Sequence, residues 1–86
     1  MKQGTQIAYI PRHAKGKITH PDVEFGFVWK VQGNCVFCRY WRKGFPGILR
    51  TTANSESAPS DMVVKYELVP QWVVDGAIAM ILEEQR

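Results

Sequence analysis

With 86 residues the chain has room for one domain, near the size at which a single core is only marginally sufficient. A hydrophobic content of 45% and an aromatic content of 12% exclude a disordered chain. The formal charge of +3 is unevenly spread: residues 1–50 carry nine Lys or Arg against Asp22 and Glu24, a net of +7, while residues 51–86 carry Lys65 and Arg86 against six acids, a net of −4.

Gly4 to Ile10 reads as a short opening strand ended by Pro11, with Ile7 and Tyr9 on one side and Ala8 and Ile10 on the other. Arg12 to Asp22, RHAKGKITHPD, follows as a long polar loop. Loops of that length in small domains are more often binding surfaces than plain connections, so the loop is the first place to expect a partner.

The stretch Glu24 to Arg42, EFGFVWKVQGNCVFCRYWR, predicts a hairpin. Phe25, Phe27, Trp29 and Val31 alternate with Glu24, Gly26, Val28 and Lys30, the period of a pleated surface. Gln32-Gly33-Asn34 supplies residues that tolerate the positive φ of a tight turn. On the second strand Val36, Cys38 and Tyr40 take one face and Cys35, Phe37, Arg39 and Trp41 the other. Both faces are therefore apolar, and each needs a cover.

Lys43 to Gly47 reads as a second turn and Ile48 to Ala53 as a fourth strand. Asn54 to Asp61, NSESAPSD, is rich in turn formers and reads as a loop, and Met62 to Tyr66 supplies a fifth, closing strand. From Pro70 the period changes to that of a helix, with Val73, Val74, Ala77, Ile78, Met80, Ile81 and Leu82 as a wide apolar face and Gln71, Asp75, Glu83 and Glu84 on the wet side.

Motifs for chemistry are sparse. Cys35 and Cys38 fall on opposite faces of one strand, which prevents a bridge between them, and they read as reduced, packed thiols. His13, His20, Asp22 and Glu24 carry metal-ligand chemistry, but no paired-cysteine knuckle or paired histidines on one helix turn accompanies them, so no metal site is expected. None of the serines or threonines sits in a nucleophile turn, and no catalysis or cofactor is expected. Arg39, Arg42, Lys43 and Arg50 interleave with Phe37, Tyr40 and Trp41, a composition used for single-stranded nucleic acid if rings and cations share an open face. His20-Pro21-Asp22 matches the tripeptide of J-domain co-chaperones, but its flanks here are a loop and a strand rather than two helices. The start of the chain lacks the apolar core of a secretory signal and no apolar run is long enough to cross a bilayer, so a cytoplasmic protein without membrane contact is expected.

Over residues 4–69 the order of short strand, long loop, hairpin beginning Gly26-Phe27-Val28, second hairpin and short closing strand resembles the SH3-like barrels, in the broad sense that includes Tudor and KOW-type modules. Tyr40-Trp41-Arg42-Lys43-Gly44 sits where Tudor-like domains carry an aromatic and a turn glycine. In its small size and standalone form the chain is also similar to proteins carried by phages and mobile gene cassettes. The resemblance implies a non-catalytic module that binds peptides, modified side chains or nucleic acid through its loops. The plasmid-borne dihydrofolate reductase is an enzymatic exception in that class, but its Val-Gln-Ile-Tyr segment has only Val31-Gln32-Gly33 as a counterpart here.

These readings predict a mainly β protein: a small five-stranded SH3-like barrel over residues 1–69 and one C-terminal α-helix over 70–86, packed on the barrel or on a partner chain. The expected role is that of a non-enzymatic binding or adaptor module acting through protein–protein contacts, self-association into a homo-oligomer included. Nucleic-acid binding through the basic N-terminal half is the alternative. The expected partner-binding residues are Trp29, Phe37, Arg39, Trp41 and Arg42 on the hairpin and His13, Lys15 and His20 in the long loop.

Overall fold

The computed structural model describes residues 1–50 and 55–85. Among them the chain forms six strands and one C-terminal helix: β1 (Gln6–Tyr9), β2 (Glu24–Gln32), β3 (Cys35–Arg42), β4 (Phe45–Leu49), β5 (Glu56–Pro59), β6 (Val63–Lys65) and α1 (Gln71–Glu84). All pairings are antiparallel, in the order β4-β3-β2-β1-β6, with β5 also on the free edge of β3. A single 3₁₀ turn, Ser60–Met62, carries the chain from β5 at one edge to β6 at the other. Among the described residues β5 and β6 do not pair, so the sheet is strongly wrapped but open rather than a closed barrel.

The long hairpin β2–β3 is the centre of the sheet and has a core on each side. Ile7, Val28, Val36, Cys38, Tyr40, Ala58 and Val63 fill the concave side. Phe27 and Trp41 face the other way and meet Val74, Ala77 and Ile81 of α1. The helix therefore covers the second apolar face of its own sheet. A third, smaller cluster of Ala8, Ala14 and Val23 pins the long loop to the end of the sheet.

Several departures from the sequence reading have clear causes. The expected loop Asn54–Asp61 contains β5, because Ala58 turns inward opposite Val36 while Ser57 and Pro59 stay exposed, and Pro59 sits at the strand end where its missing N–H disturbs no ladder. Six strands thus replace five. The expected turn Lys43–Gly47 shrinks to Lys43-Gly44, with Gly44 at φ 81°, and Phe45 already pairs with Arg42. The following pair is Trp41 with Leu49, so Pro46, Gly47 and Ile48 bulge out, with Gly47 at φ 97°. Residues 51–53 of the expected fourth strand lie outside the described residues. In β2 a bulge at Trp29, between the Val28–Cys38 and Lys30–Phe37 pairs, inverts the alternation beyond it, so Val31 pairs with Val36 instead of sharing a face with Phe27.

The helix begins at Gln71 behind Pro70, whose ring fixes the extended approach. Its buried stripe is narrower than the sequence implies. Val74, Ala77 and Ile81 are buried and Val73 and Ile78 half-buried, while Met80 and Leu82, each one residue and about 100° from Ile81, are exposed. Two glutamines attach the helix to the sheet. Gln71 donates from Nε2 to the Gly4 carbonyl at 3.0 Å. Gln6, only 3% exposed, donates from Nε2 to the Val69 carbonyl at 2.7 Å and accepts the Leu68 and Val69 amides on Oε1 at 3.0 and 3.1 Å. No described helix is long and apolar enough to cross a membrane.

Candidate binding groove

The long loop between β1 and β2 is knitted by its own backbone. Ala14 N donates to Pro11 O, Lys15 N to Arg12 O, Lys17 N to Ala14 O, His20 N to Lys17 O and Val23 N to His20 O, all between 2.9 and 3.1 Å. Lys15 and Gly16 take left-handed conformations, φ 51° and 76°, that reverse the chain after the short 3₁₀ turn Arg12–Ala14. The loop stands opposite the β3–β4 turn, and Lys43 Nζ donates across to the Pro21 carbonyl.

Between the two lies a groove of about 450 Å³. Its apolar surface comes from Phe25, Tyr66, Leu68, Ile18 and Pro46, with Trp41 below. Phe25 and Tyr66 stack at a tilt, centroids 5.3 Å apart, while Tyr66 and Leu68 remain 40% exposed. Large apolar side chains left this accessible line a concavity rather than fill a core. Arg42, Lys43 and His20 stand along the rim.

Arg50 also reaches the groove but is already engaged. Its Nη2 donates to Glu24, its Nη1 to Glu56 Oε1 at 3.0 Å, and its guanidinium lies 5.2 Å from the Tyr40 ring centre. Partial burial opposes its charge, but the hydrogen bond and charge of Glu24, with Glu56, hold it above the ordinary arginine value. Burial likewise pushes the Tyr40 phenol far up and the Cys38 thiol to about 11, so both stay neutral and unreactive at physiological pH.

A comparison with protein-family models, with curated proteins and with solved structures returned no match. The groove's residues therefore speak only through their chemistry.

The residues expected to bind a partner divide into three places. Trp41, Arg42 and His20 gather at the groove, Trp41 almost wholly buried with an indole N–H that finds no acceptor among the described residues. Arg42 is exposed, its guanidinium 5.1 Å from the Phe45 ring. Trp29, Phe37 and Arg39 lie on the helix-side face of the hairpin, where Trp29 packs against the core around Phe27 and Phe37 carries Lys30 Nζ 4.7 Å from its ring centre. Lys15 is exposed at the outer bend of the loop.

His13 pairs with Asp22, Nε2 to Oδ2 at 2.6 Å, and stacks edge-on to His20 at 5.2 Å. That contact, above all the hydrogen bond from His13, holds the Asp22 carboxyl below its usual range. Sequence spacing pointed away from a metal site, yet the loop brings one ligand atom each of His13, His20 and Asp22 within 4.8 Å of one another. Glu24, Cys35 and Cys38 are not part of that cluster. The sequence reading did not place Tyr66, Leu68 and Phe25 at a groove, because apolar side chains in β2 and just after β6 look like core until the surrounding loops are placed.

Proposed function

We propose that the chain is a non-enzymatic binding module of the SH3-like type that takes a protein partner, as an extended segment of mixed apolar and acidic side chains, in the groove between the long loop and the β3–β4 turn. The observation that carries this reading is the combination of exposed Tyr66 and Leu68, beside half-buried Phe25, with the exposed cations Arg42 and Lys43 on the rim. Apolar side chains supply the area that holds a peptide, and the cations select acidic neighbours and speed encounter. The path of β5, its 3₁₀ turn and β6 from one sheet edge toward the other supports the SH3-like description, since it is the route by which a small sheet approaches closure.

The test is a random peptide library panned against the folded chain. Selected sequences should pair Asp or Glu with Leu, Ile or aromatic residues, and Arg42→Glu with Lys43→Glu should weaken them at least about tenfold without moving Tm. Selected peptides free of acidic bias, or bound equally well by the double variant, would overturn the reading.

Nucleic-acid binding is the second reading, and one feature favours it: Lys30, Phe37 and Arg39 share the helix-side face of the hairpin, with a cation over a ring. The expected cation set does not support it as a whole, because Arg50 is neutralised by Glu24 and Glu56 and the Tyr40 and Trp41 rings are buried. Binding of this kind falls steeply with salt, and its absence at about 50 mM salt disposes of it.

A further inference from the structure

We propose that His13, His20 and Asp22 form a three-ligand site for a divalent transition cation of the zinc and cobalt class, built into the long loop at the rim of the groove. The three donors are two imidazole nitrogens and a carboxylate oxygen, the set that suits such cations, and their donor atoms already lie within 4.8 Å of one another. Bonds of about 2.0–2.1 Å in tetrahedral array place ligand atoms roughly 3.4 Å apart, so closure needs the donor atoms to shift by about an ångström. His13 and Asp22 are close enough at 2.6 Å that they need only open slightly around an ion.

The backbone prepares the site. His13 sits in the 3₁₀ turn, and His20 and Asp22 flank Pro21 in the return limb, so the five turn hydrogen bonds and the buried anchors Ala14 and Val23 fix all three relative to one another. Residues nine apart in sequence meet because Lys15 and Gly16 reverse the chain between them. This is why the site has none of the short spacings of a zinc knuckle.

The proton accounting is simple. A cation takes the place of the proton between His13 Nε2 and Asp22 Oδ2: in a neutral ring that proton passes through water to Nδ1, and in an imidazolium it is released to water while Nδ1 stays protonated. His20 Nδ1 already presents a lone pair, because it accepts the Asp22 amide at 3.0 Å. A cation bound there replaces that solvent-exposed hydrogen bond while His20 keeps its proton on Nε2. With the imidazole ring of His13 and the Asp22 carboxylate both more than half exposed, the coordination positions left over face water. Lys43, held beside Pro21, is the cation whose charge reaches Asp22, and it weakens the site.

The experiment is a titration of the 86-residue chain, free of any histidine tag, with Co²⁺ followed by visible absorption, then displacement by Zn²⁺. A saturable d–d band of one-to-one stoichiometry is expected. His13→Ala, His20→Ala and Asp22→Asn should each lower affinity at least about tenfold, and Lys43→Met should raise it. Circular dichroism melts of the metal-free variants serve as the folding control and should match the parent. If no band appears, or if the three variants keep parental affinity, the cluster is only an ion pair that closes the loop and the site does not exist.

Discussion

Ile81→Ala removes three carbon atoms from the place where α1 meets the sheet. Ile81 is 3% exposed and shares its cluster with Phe27, Trp41, Val74 and Ala77, so its truncation opens a cavity between helix and sheet. Truncations of this kind cost about 2–5 kcal/mol. At about 0.05–0.15 kcal/mol per residue, a domain of this length holds roughly 4–13 kcal/mol in total. A loss near 3 kcal/mol lowers Tm by roughly 12–24 °C at the sensitivity of small domains. Thermal melts by far-ultraviolet circular dichroism, run at two protein concentrations a hundredfold apart, read both the size and the origin of the effect. Met80→Ala, at a position 61% exposed, is the control and should stay within about 0.5 kcal/mol of the parent. Ile78→Ala, half-buried, should fall between the two. Should Ile81→Ala melt with the parent, the helix is not part of the core. Should the parent Tm instead climb with concentration, a second copy supplies part of the fold.

Gly26→Ala is expected to be worse tolerated than any exposed substitution, because a Cβ there would lie 2.0 Å from the Arg39 carbonyl oxygen and 2.7 Å from the Tyr40 Cα; loss of soluble protein or a penalty at or above the ~1–3 kcal/mol of ordinary overpacking is the outcome to look for in a denaturant titration. Alkylation followed by mass spectrometry at pH 8 should label the exposed Cys35 rapidly and spare Cys38, whose thiol is buried and shifted to about 11; equal labelling would mean that the concave core opens. The same shift sets the direction of an alkaline effect: the folded chain keeps the Cys38 proton that the unfolded chain releases near the ordinary thiol value of 9.0, so stability falls as pH rises from 9 to about 11, and Cys38→Val should flatten that part of the profile. Gln6→Leu strips three hydrogen bonds from the segment before α1 and should cost more than the ~0.5–1.5 kcal/mol of a single bond, read as a lowered Tm with the sheet's amides still protected in hydrogen exchange.

Much of the fold was legible because its strongest signals are local. Period two in Glu24–Arg42 and period 3.6 after Pro70 both correspond to real elements, and the doubly apolar second strand announced that a cover was required. What sequence does not encode locally is the bulge. Trp29 looks like one more member of an alternating series, and only pairing with β3 reveals that Lys30 and Val31 have changed sides. The strand at Glu56–Pro59 was hidden for a related reason: Ser, Ala and Pro have weak strand preference, and the segment is ordered by the neighbour it pairs with rather than by its own composition. The candidate site was half visible. Its loop stood out by length and polarity, whereas the meeting of His13 with Asp22 depends on a left-handed pair of residues that no spacing rule anticipates.

The clasp made by Gln6 separates two tasks that small domains usually entangle. It grips the chain at residues 68 and 69 only through backbone N–H and C=O groups, atoms that every residue but proline possesses. The side chains of that same stretch, Tyr66 and Leu68, are meanwhile left to line the groove. Substitutions there can remodel the wall of the groove without loosening the helix from the sheet. The fold thus holds a small region of free variation beside a fixed frame, so the lining of the groove can change while the architecture stays the same.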